Sequence, residues 1–436
     1  MLALEKYLKN LGIEKLNAMQ EQSLADFDYN RDFMLLSPTG SGKTLAFALI
    51  MLKLMQKHKH AGTSALVIVP TRELALQIEQ VIKALTKDIS LVCVYGGSDT
   101  RAERKKLEQQ PELIVGTPGR IIYHVDRNPA LLADCKILVL DEFDKSLELG
   151  FQDQMEFIFR SCRGIEHQIL TSATAIKEQP SFLHLKDPVV LDFLSDQVFT
   201  PNIHYYQVKA SSKMKLEWLF KLVCKIGMEK VLIFCNHREA VDHIQRLLIG
   251  KGIECINYHG GLDQYDRELA IIKIKNGSEH ILVTTDLGAR GLDIPEIKHV
   301  IHYQFPYKEE EFVHRNGRTG RNQSEGNVYG IFTPEDRFPT YFEDAEELIL
   351  DEFYPIPEPP KYKTIRISAG KKQKVNKIDV VGFIHSFPGI EKDDLGLIDV
   401  KANESYVAVA ANKASALVQA ANNTKVKGQK VRVFTV

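Results

Sequence analysis

One rhythm repeats along this chain: four to six apolar, largely β-branched residues, a turn, then an amphipathic helical stretch. It runs through "FMLLS", "ALVIVP", "LVCVYGG", "LIVGTP", "ILVLDE" and "ILTSAT", then resumes in "VLIFCN", "ECINYHG", "ILVTTD", "HVIHYQFP" and "NVYGIFT". Apolar runs without alternation suit strands buried on both faces, the condition of a parallel sheet covered by helices on either side. Two such series predict two open parallel α/β sheets. Ligands of these sheets sit at the carboxyl ends of the strands, which is where each run breaks into polar residues.

The length of 436 residues exceeds one ordinary core and favours two or three domains. With 44% hydrophobic and 26% charged residues the chain reads as globular. Its longest apolar stretch, "LAFALIMLKLM", is interrupted by Lys53, and "MLALEKYLKN" lacks a signal peptide's order, so no membrane association and a cytoplasmic location are expected. Six scattered cysteines without a CxxC pair are expected to be reduced core residues. Charge is unevenly distributed. Residues 361–436 carry 14 basic against 6 acidic side chains, whereas 341–360 carry 7 acidic and no basic ones. The expected organisation is an α/β domain over 1–198, a second over 199–342, an acidic, proline-ended linker over 343–360, and a basic module over 361–436.

The first polar break is "SPTGSGKT" at 37–44. Gly40 and Gly42 permit a tight turn, Ser41 lies between them, and Lys43 and Thr44 open the next helix. Backbone N–H groups there can cradle phosphate, the lysine can reach the β- and γ-phosphates, and the threonine hydroxyl can ligate Mg²⁺. Ser37 occupies the place of the pattern's first glycine. A phosphate cradle needs a second group for its metal, and "DEFD" at 141–144 follows another apolar run. Asp141 suits the metal, and Glu142 suits the attacking water in an in-line phosphoryl transfer. Alone, such acids could equally complement a helix dipole; the cradle upstream decides for chemistry.

Further signals follow in order: "PTRELA" at 70–75, "GG" at 96–97, "TPGR" at 117–120, "SAT" at 172–174, Gln264 and Arg267, "TTDLGARGLDIP" at 284–295 and "HRNGRTGR" at 314–321. With these the chain resembles the DEAD-box RNA helicases of helicase superfamily two, across both α/β domains. The resemblance implies two tandem RecA-like domains that hydrolyse ATP with Mg²⁺ on binding RNA and separate short duplexes. It implies that Arg72, Gly97, Thr117, Arg120, Thr284 and Asp286 face RNA, through positioning contacts that carry no sequence information. Asp144, Ser172, Thr174 and Arg290 would couple hydrolysis to strand separation. Asp293 would contact the ATP ribose, and Arg318 and Arg321 would neutralise charge on the departing phosphoryl group. Gln20 would pair with adenine N6 and N7.

Several positions depart from that family. Leu16-Asn17 stands where Pro-Thr is usual, Ala3 where an upstream aromatic is expected, Phe143 where a small alanine is usual, Gln304 for an aspartate and Asn316 for an apolar residue.

The basic module reads as βαββαβ, an RRM-like order that does not by itself establish RNA binding. Only Tyr406 remains where stacking aromatics are expected, so phosphate contact by Lys371, Lys372, Lys374, Lys425, Lys427, Lys430 and Arg432 is the favoured mode. Its "GKKQK", "DVVGFI" and "GLIDV" resemble the tail of the DbpA-type bacterial DEAD-box helicases. That implies a structured ribosomal RNA as target and a role in large-subunit assembly. The chain is expected to act as a monomer. An ATP-gated RNA clamp and a DNA-directed helicase of the same superfamily are the alternatives.

Overall fold

The computed structural model describes residues 2–57, 62–176, 179–194, 202–289, 294, 297–320 and 325–436. It divides into two compact units, one holding the first parallel sheet, the other holding the second sheet together with the basic module.

The first sheet has seven parallel strands: β1 (Phe33–Leu36), β2 (Ala65–Ile68), β3 (Leu91–Val94), β4 (Leu113–Gly116), β5 (Ile137–Leu140), β6 (His167–Ser172) and β7 (Val189–Asp192). They lie in the order β3-β4-β2-β5-β6-β1-β7. The helix Lys43–Lys57 is buried nearly throughout, so its sequence is apolar all round. The second sheet is also parallel: β8 (Ile203–Lys209), β9 (Val231–Cys235), β10 (Ile256–Tyr258), β11 (Ile281–Thr285), β12 (His299–His302), β13 (Gly326–Phe332) and β14 (Glu346–Glu347), in the order β10-β11-β9-β12-β13-β8-β14.

All eleven anticipated runs form strands. The rhythm does not announce β7, β8 and β14, because these strands are partly exposed at one side of each sheet and therefore carry polar residues. Glu346 and Glu347 pair with β8, and Leu350 is buried in the second core. The acidic segment expected as a linker thus begins as the edge of the second sheet.

The basic module forms β15 (Tyr362–Ile367), the helix Lys377–His385, β16 (Leu395–Val400), β17 (Ser405–Ala410), the helix Ala411–Ala421, a hairpin of β18 (Lys425–Val426) and β19 (Gln429–Lys430), and β20 (Val433–Thr435). The sheet is antiparallel, ordered β16-β17-β15-β20. This is the expected βαββαβ order with a hairpin inserted before the last strand, which starts at Val433 rather than near Gln429. Strand β17 is buried on both faces. Val407 and Val409 enter the module's own core, and Tyr406 and Ala408 face the other way. The helix Gln264–Asn276 of the second α/β lobe packs on that other face.

Candidate functional site

Strand order builds the first cluster. β6 lies between β5 and β1, with Leu140 level with Leu170 and Leu36 level with Ser172, so three loops leave the sheet side by side. In the loop after β1, Gly42 has φ +90°, and a Cβ there would come 2.4 Å from Gln20 Nε2. Glycine alone meets both demands. Lys43 Nζ donates to the carbonyl oxygens of Ser37 at 2.5 Å and Pro38 at 2.9 Å. The hydroxyls of Ser37 and Ser41 are buried without a hydrogen-bond partner. Unmet buried donors call for an acceptor, and phosphate oxygens fit that need.

Asp141 is 2% exposed. Its Oδ1 accepts from the Thr171 hydroxyl and, at 3.1 Å, from the Glu142 N–H. Burial, then the adjacent Glu142 carboxylate, push its pKa up to about 6 against the opposing pull of the Thr171 hydrogen bond and Lys43. Glu142 sits at φ +49°, ψ +52°, a strained conformation for a glutamate and one that concentrates at functional sites. Thr174 Oγ1 donates to Asp144 Oδ2 at 2.9 Å, and Ser172 Oγ donates to Thr174 O at 2.6 Å. The "DEFD" and "SAT" segments are therefore joined by a side-chain hydrogen bond. Phe143 is fully buried in the core that also holds Met155, Ile158 and Leu170, which accommodates its ring.

Gln20 has more than one task. Its Oε1 accepts from Asn17 N–H at 3.0 Å, its Nε2 donates to Gly42 O at 3.2 Å, and Asn17 Nδ2 donates to Ser41 O at 2.8 Å. Asn17 N-caps the helix Ala18–Ala25 in a reciprocal capping box with Gln20. The departure at Asn17 thus supplies a cap to the helix and a strut to the loop after β1. One N–H of the Gln20 amide remains for a base.

Strands β3, β4 and β2 bring the residues expected at RNA to one side of the same sheet end. Arg72 is buried, with Nε at 3.1 Å from Glu73 and Nη1 donating to Gly96 O at 3.3 Å. A Cβ on Gly97 would stand 2.8 Å from that same Nη1. Thr117 precedes the helix Pro118–Val125. Arg120 is held by Glu103 Oε2 at 2.6 Å and donates to Ser98 O at 2.9 Å; His124 Nε2 shares that carboxylate oxygen at 2.8 Å. Burial raises the Glu103 pKa, but hydrogen bonds from His124, Ser98 and Arg120 outweigh it and hold the group below its ordinary range.

In the second lobe, β11, β9 and β12 are neighbours, and Arg315 is the hub where their ends meet. It binds both oxygens of Asp286 at 2.5 Å, Asn236 Oδ1 at 2.9 Å and Gln304 O at 2.7 Å. Thr284, fully buried, donates to Tyr258 O at 2.7 Å. Both side chains expected at RNA therefore have internal partners. Gln304 Oε1 accepts from Asn236 N–H at 2.9 Å, and Asn316 Oδ1 meets His302 Nε2 at 2.8 Å. Burial, then Arg315, depress the His302 pKa to about 3, so the ring is neutral and donates to Asn316. Arg318 is 8% exposed. Arg290, Asp293 and Arg321 lie outside the described residues.

In the basic module Lys371, Lys372, Lys374, Lys425, Lys427, Lys430 and Arg432 all reach the surface. Lys425 and Lys430 face each other across the hairpin, and Lys427 bridges to Asp379 at 2.8 Å and to Lys374 O at 2.9 Å. Tyr406 is 4% exposed, its hydroxyl donating to Glu404 at 2.6 Å. Glu404 in turn binds Arg366, whose guanidinium stands 5.3 Å from the Tyr265 ring centroid. Fully buried Thr364 bonds to Asn276 Nδ2 at 2.9 Å and Ser278 Oγ at 2.5 Å. The second lobe covers the sheet face around Tyr406 and Thr364, and Phe434 on the same face stays exposed.

Four residues of these networks, Thr171, Asn17, Glu103 and Arg315, were not among the candidates that the sequence suggests. Asn17 was legible as a cap three residues before Gln20, and Arg315 stands inside "HRNGRTGR"; Glu103 carried no signal. Among the described residues no cluster of three or more His, Cys, Asp or Glu could hold a metal. The oxygens of Asp141 and Thr44, completed by phosphate, are instead the hard donors that suit Mg²⁺. No described helix is long and apolar enough to cross a membrane. The six cysteines are free, as expected.

Residues 17–182 match the DEAD/DEAH box helicase family, 214–323 the helicase conserved C-terminal domain, and 364–434 the DbpA RNA binding domain. The chain is 29% identical to the ATP-dependent RNA helicase DbpA of Bacillus subtilis, over 98% of this chain and 96% of that protein. It is 33% identical to the ATP-dependent RNA helicase CshA of Limosilactobacillus reuteri, over 82% and 72%. Among solved structures, S. cerevisiae Dbp5 bound to RNA and ADP BeF3 superposes with a TM-score of 0.68 at 25% identity, covering 79% of this chain and 92% of that one.

Proposed function

The chain belongs to the DEAD-box ATP-dependent RNA helicases and ends in a DbpA-type RNA-binding domain, and on that premise we propose how its residues divide the work and which RNA it serves. Lys43 and the backbone N–H groups from Gly40 to Thr44 hold the phosphates. Thr44 and Asp141 would hold Mg²⁺, which neutralises phosphate charge when bound. Glu142 orients the attacking water and accepts its proton, and Arg318 and Arg321 provide cations for the developing charge. The hydrogen bond from Thr174 to Asp144 carries the state of the acids into the "SAT" segment. The observation that carries this reading is the buried Asp141, set by Thr171 beside a phosphate loop with two unmet hydroxyls.

The target proposed is a structured ribosomal RNA, bound by the lysine-bearing turns of the basic module, with large-subunit assembly as the context and a monomer as the working form. A net charge of +8 on residues 361–436 supports phosphate contact, and the covered sheet face turns the reading away from base stacking on Tyr406. The test compares ATP hydrolysis stimulated by large-subunit ribosomal fragments, by unrelated RNA and by DNA of equal sequence, with strand separation followed on a labelled duplex. Equal stimulation by every RNA would remove the ribosomal assignment. Hydrolysis without duplex separation would leave an ATP-gated clamp, and stimulation by DNA would point to the DNA-directed alternative.

A further inference from the structure

The first-lobe arginines assigned to RNA are largely committed inside the protein: Arg72 to Glu73 and Gly96, Arg120 to Glu103 and Ser98. Further positive charge lies beside them. The helix Thr100–Leu107 starts three residues after Gly97 and runs next to the Pro118–Val125 helix that carries Arg120. Between them is a cleft of about 560 Å³, lined by Arg101, Arg104 and Arg127 together with Thr100 and Asn128.

Among the described residues none of these three arginines forms an ion pair, and Glu108 is the one acid on the cleft wall. Glu103, which could have neutralised them, is taken by Arg120, His124 and Ser98. Arg127 is held in place: its guanidinium lies 3.7 Å from the Tyr123 ring centroid, and Nη1 donates to Tyr123 O at 3.0 Å. Arg120 approaches the same ring at 5.0 Å, which joins the cleft to the expected RNA face. Guanidinium forks match phosphate oxygens in pairs, and a concave surface with surplus charge of one sign concentrates anions.

We propose that this cleft is a further phosphate-binding stretch of the first lobe, taking the single-stranded RNA that runs on from Gly97, Thr117 and Arg120. It rests on the reading that those residues face RNA. It adds affinity for the length of the strand without touching the ATP site.

The Arg104→Gln, Arg127→Gln double variant tests it in the full-length protein, with RNA-free ATP hydrolysis expected to be unchanged. For a long single strand the half-activating concentration should rise by about 3- to 10-fold, and the log–log salt dependence should become shallower by about 1.4, the value for two fewer neutralised phosphates on a single strand. A strand trimmed to the shortest length that still stimulates should respond as it does with the parent protein. The Arg104→Lys, Arg127→Lys variant should recover most of the salt dependence. Calorimetry with tripolyphosphate separates the other source of the same chemistry: weaker binding of that anion with unchanged RNA activation would overturn the RNA assignment. No change in either measurement would overturn the site. Absence of RNA stimulation in the parent protein would instead strike the underlying reading.

Discussion

Single side chains in and around the loop proposed to hold phosphate have partners that their residue types only partly reveal. Glu142 is held in a left-handed conformation beside Asp141, and its carboxylate is the group assigned to the water. Glu142→Gln keeps the shape and removes the base, so RNA-stimulated turnover should fall by about 10²-fold or more while nucleotide affinity stays near normal in a binding titration. Wild-type turnover in that variant would remove Glu142 from the mechanism. Asn17 offers a second test. It touches the loop through Ser41 O and caps the Ala18–Ala25 helix. Asn17→Ala should cost about 1 kcal/mol of stability and raise KM for ATP and GTP alike, because it loosens the phosphate loop and leaves recognition of the base intact. A change confined to one nucleotide would show that Asn17 acts on base recognition.

Between elements, a few buried polar pairs fix the geometry that isolated strands and helices leave open. Glu103 ties the Thr100–Leu107 helix to the Pro118–Val125 helix through Arg120 and His124. Its pKa is lowered on folding, so the stabilisation is complete above its ordinary value of 4.5 and is lost as pH falls through the lower folded value. Glu103→Gln should destabilise the protein by on the order of 3 kcal/mol at neutral pH. The gap from the parent protein should close in melts taken at pH values below 4.5. A gap that stayed constant with pH would mean that packing rather than ionisation matters there. The second lobe uses the same device at Arg315, and two positions that depart from the family lie beside it: Gln304 bonds to Asn236 and Asn316 to His302. In the sequence both are oddities, and only the packing of the strand ends shows that each has a partner inside the lobe.

At the scale of the whole molecule, the basic module is part of the second unit. Part of its sheet face packs on the Gln264–Asn276 helix, and Thr364 bonds to Asn276 and Ser278. Ending the chain at residue 360 should therefore do two things: lower the melting temperature by a few degrees for each ~1 kcal/mol of interface stabilisation removed, and remove preference among RNAs. The Lys371→Ala, Lys372→Ala, Lys374→Ala variant should do only the second. Its melting temperature should match the parent's, and half-activation by a ribosomal fragment should need about 10-fold more RNA, with a salt slope shallower by about 2 to 3. A triple variant with unchanged RNA ranking would discharge these lysines from target choice.

The two parallel sheets, the chain order of the module's elements and the loops that carry the candidate phosphate-binding residues and acids were legible along the chain. Each of these rests on local chemistry: apolar runs without alternation, glycines where φ is positive, carboxylates where a buried strand stops. Which polar groups are already satisfied emerges only once the strands are packed side by side. Arg72, Arg120, Thr284 and Asp286 belong to motifs that resemble RNA contacts, yet their hydrogen bonds are made with residues brought close by strand order. Tyr406 reads as a candidate for stacking until a helix more than a hundred residues earlier in the chain covers it. Whether a side chain is free or committed depends on neighbours that are remote in sequence, and the chain's local pattern does not encode that distance.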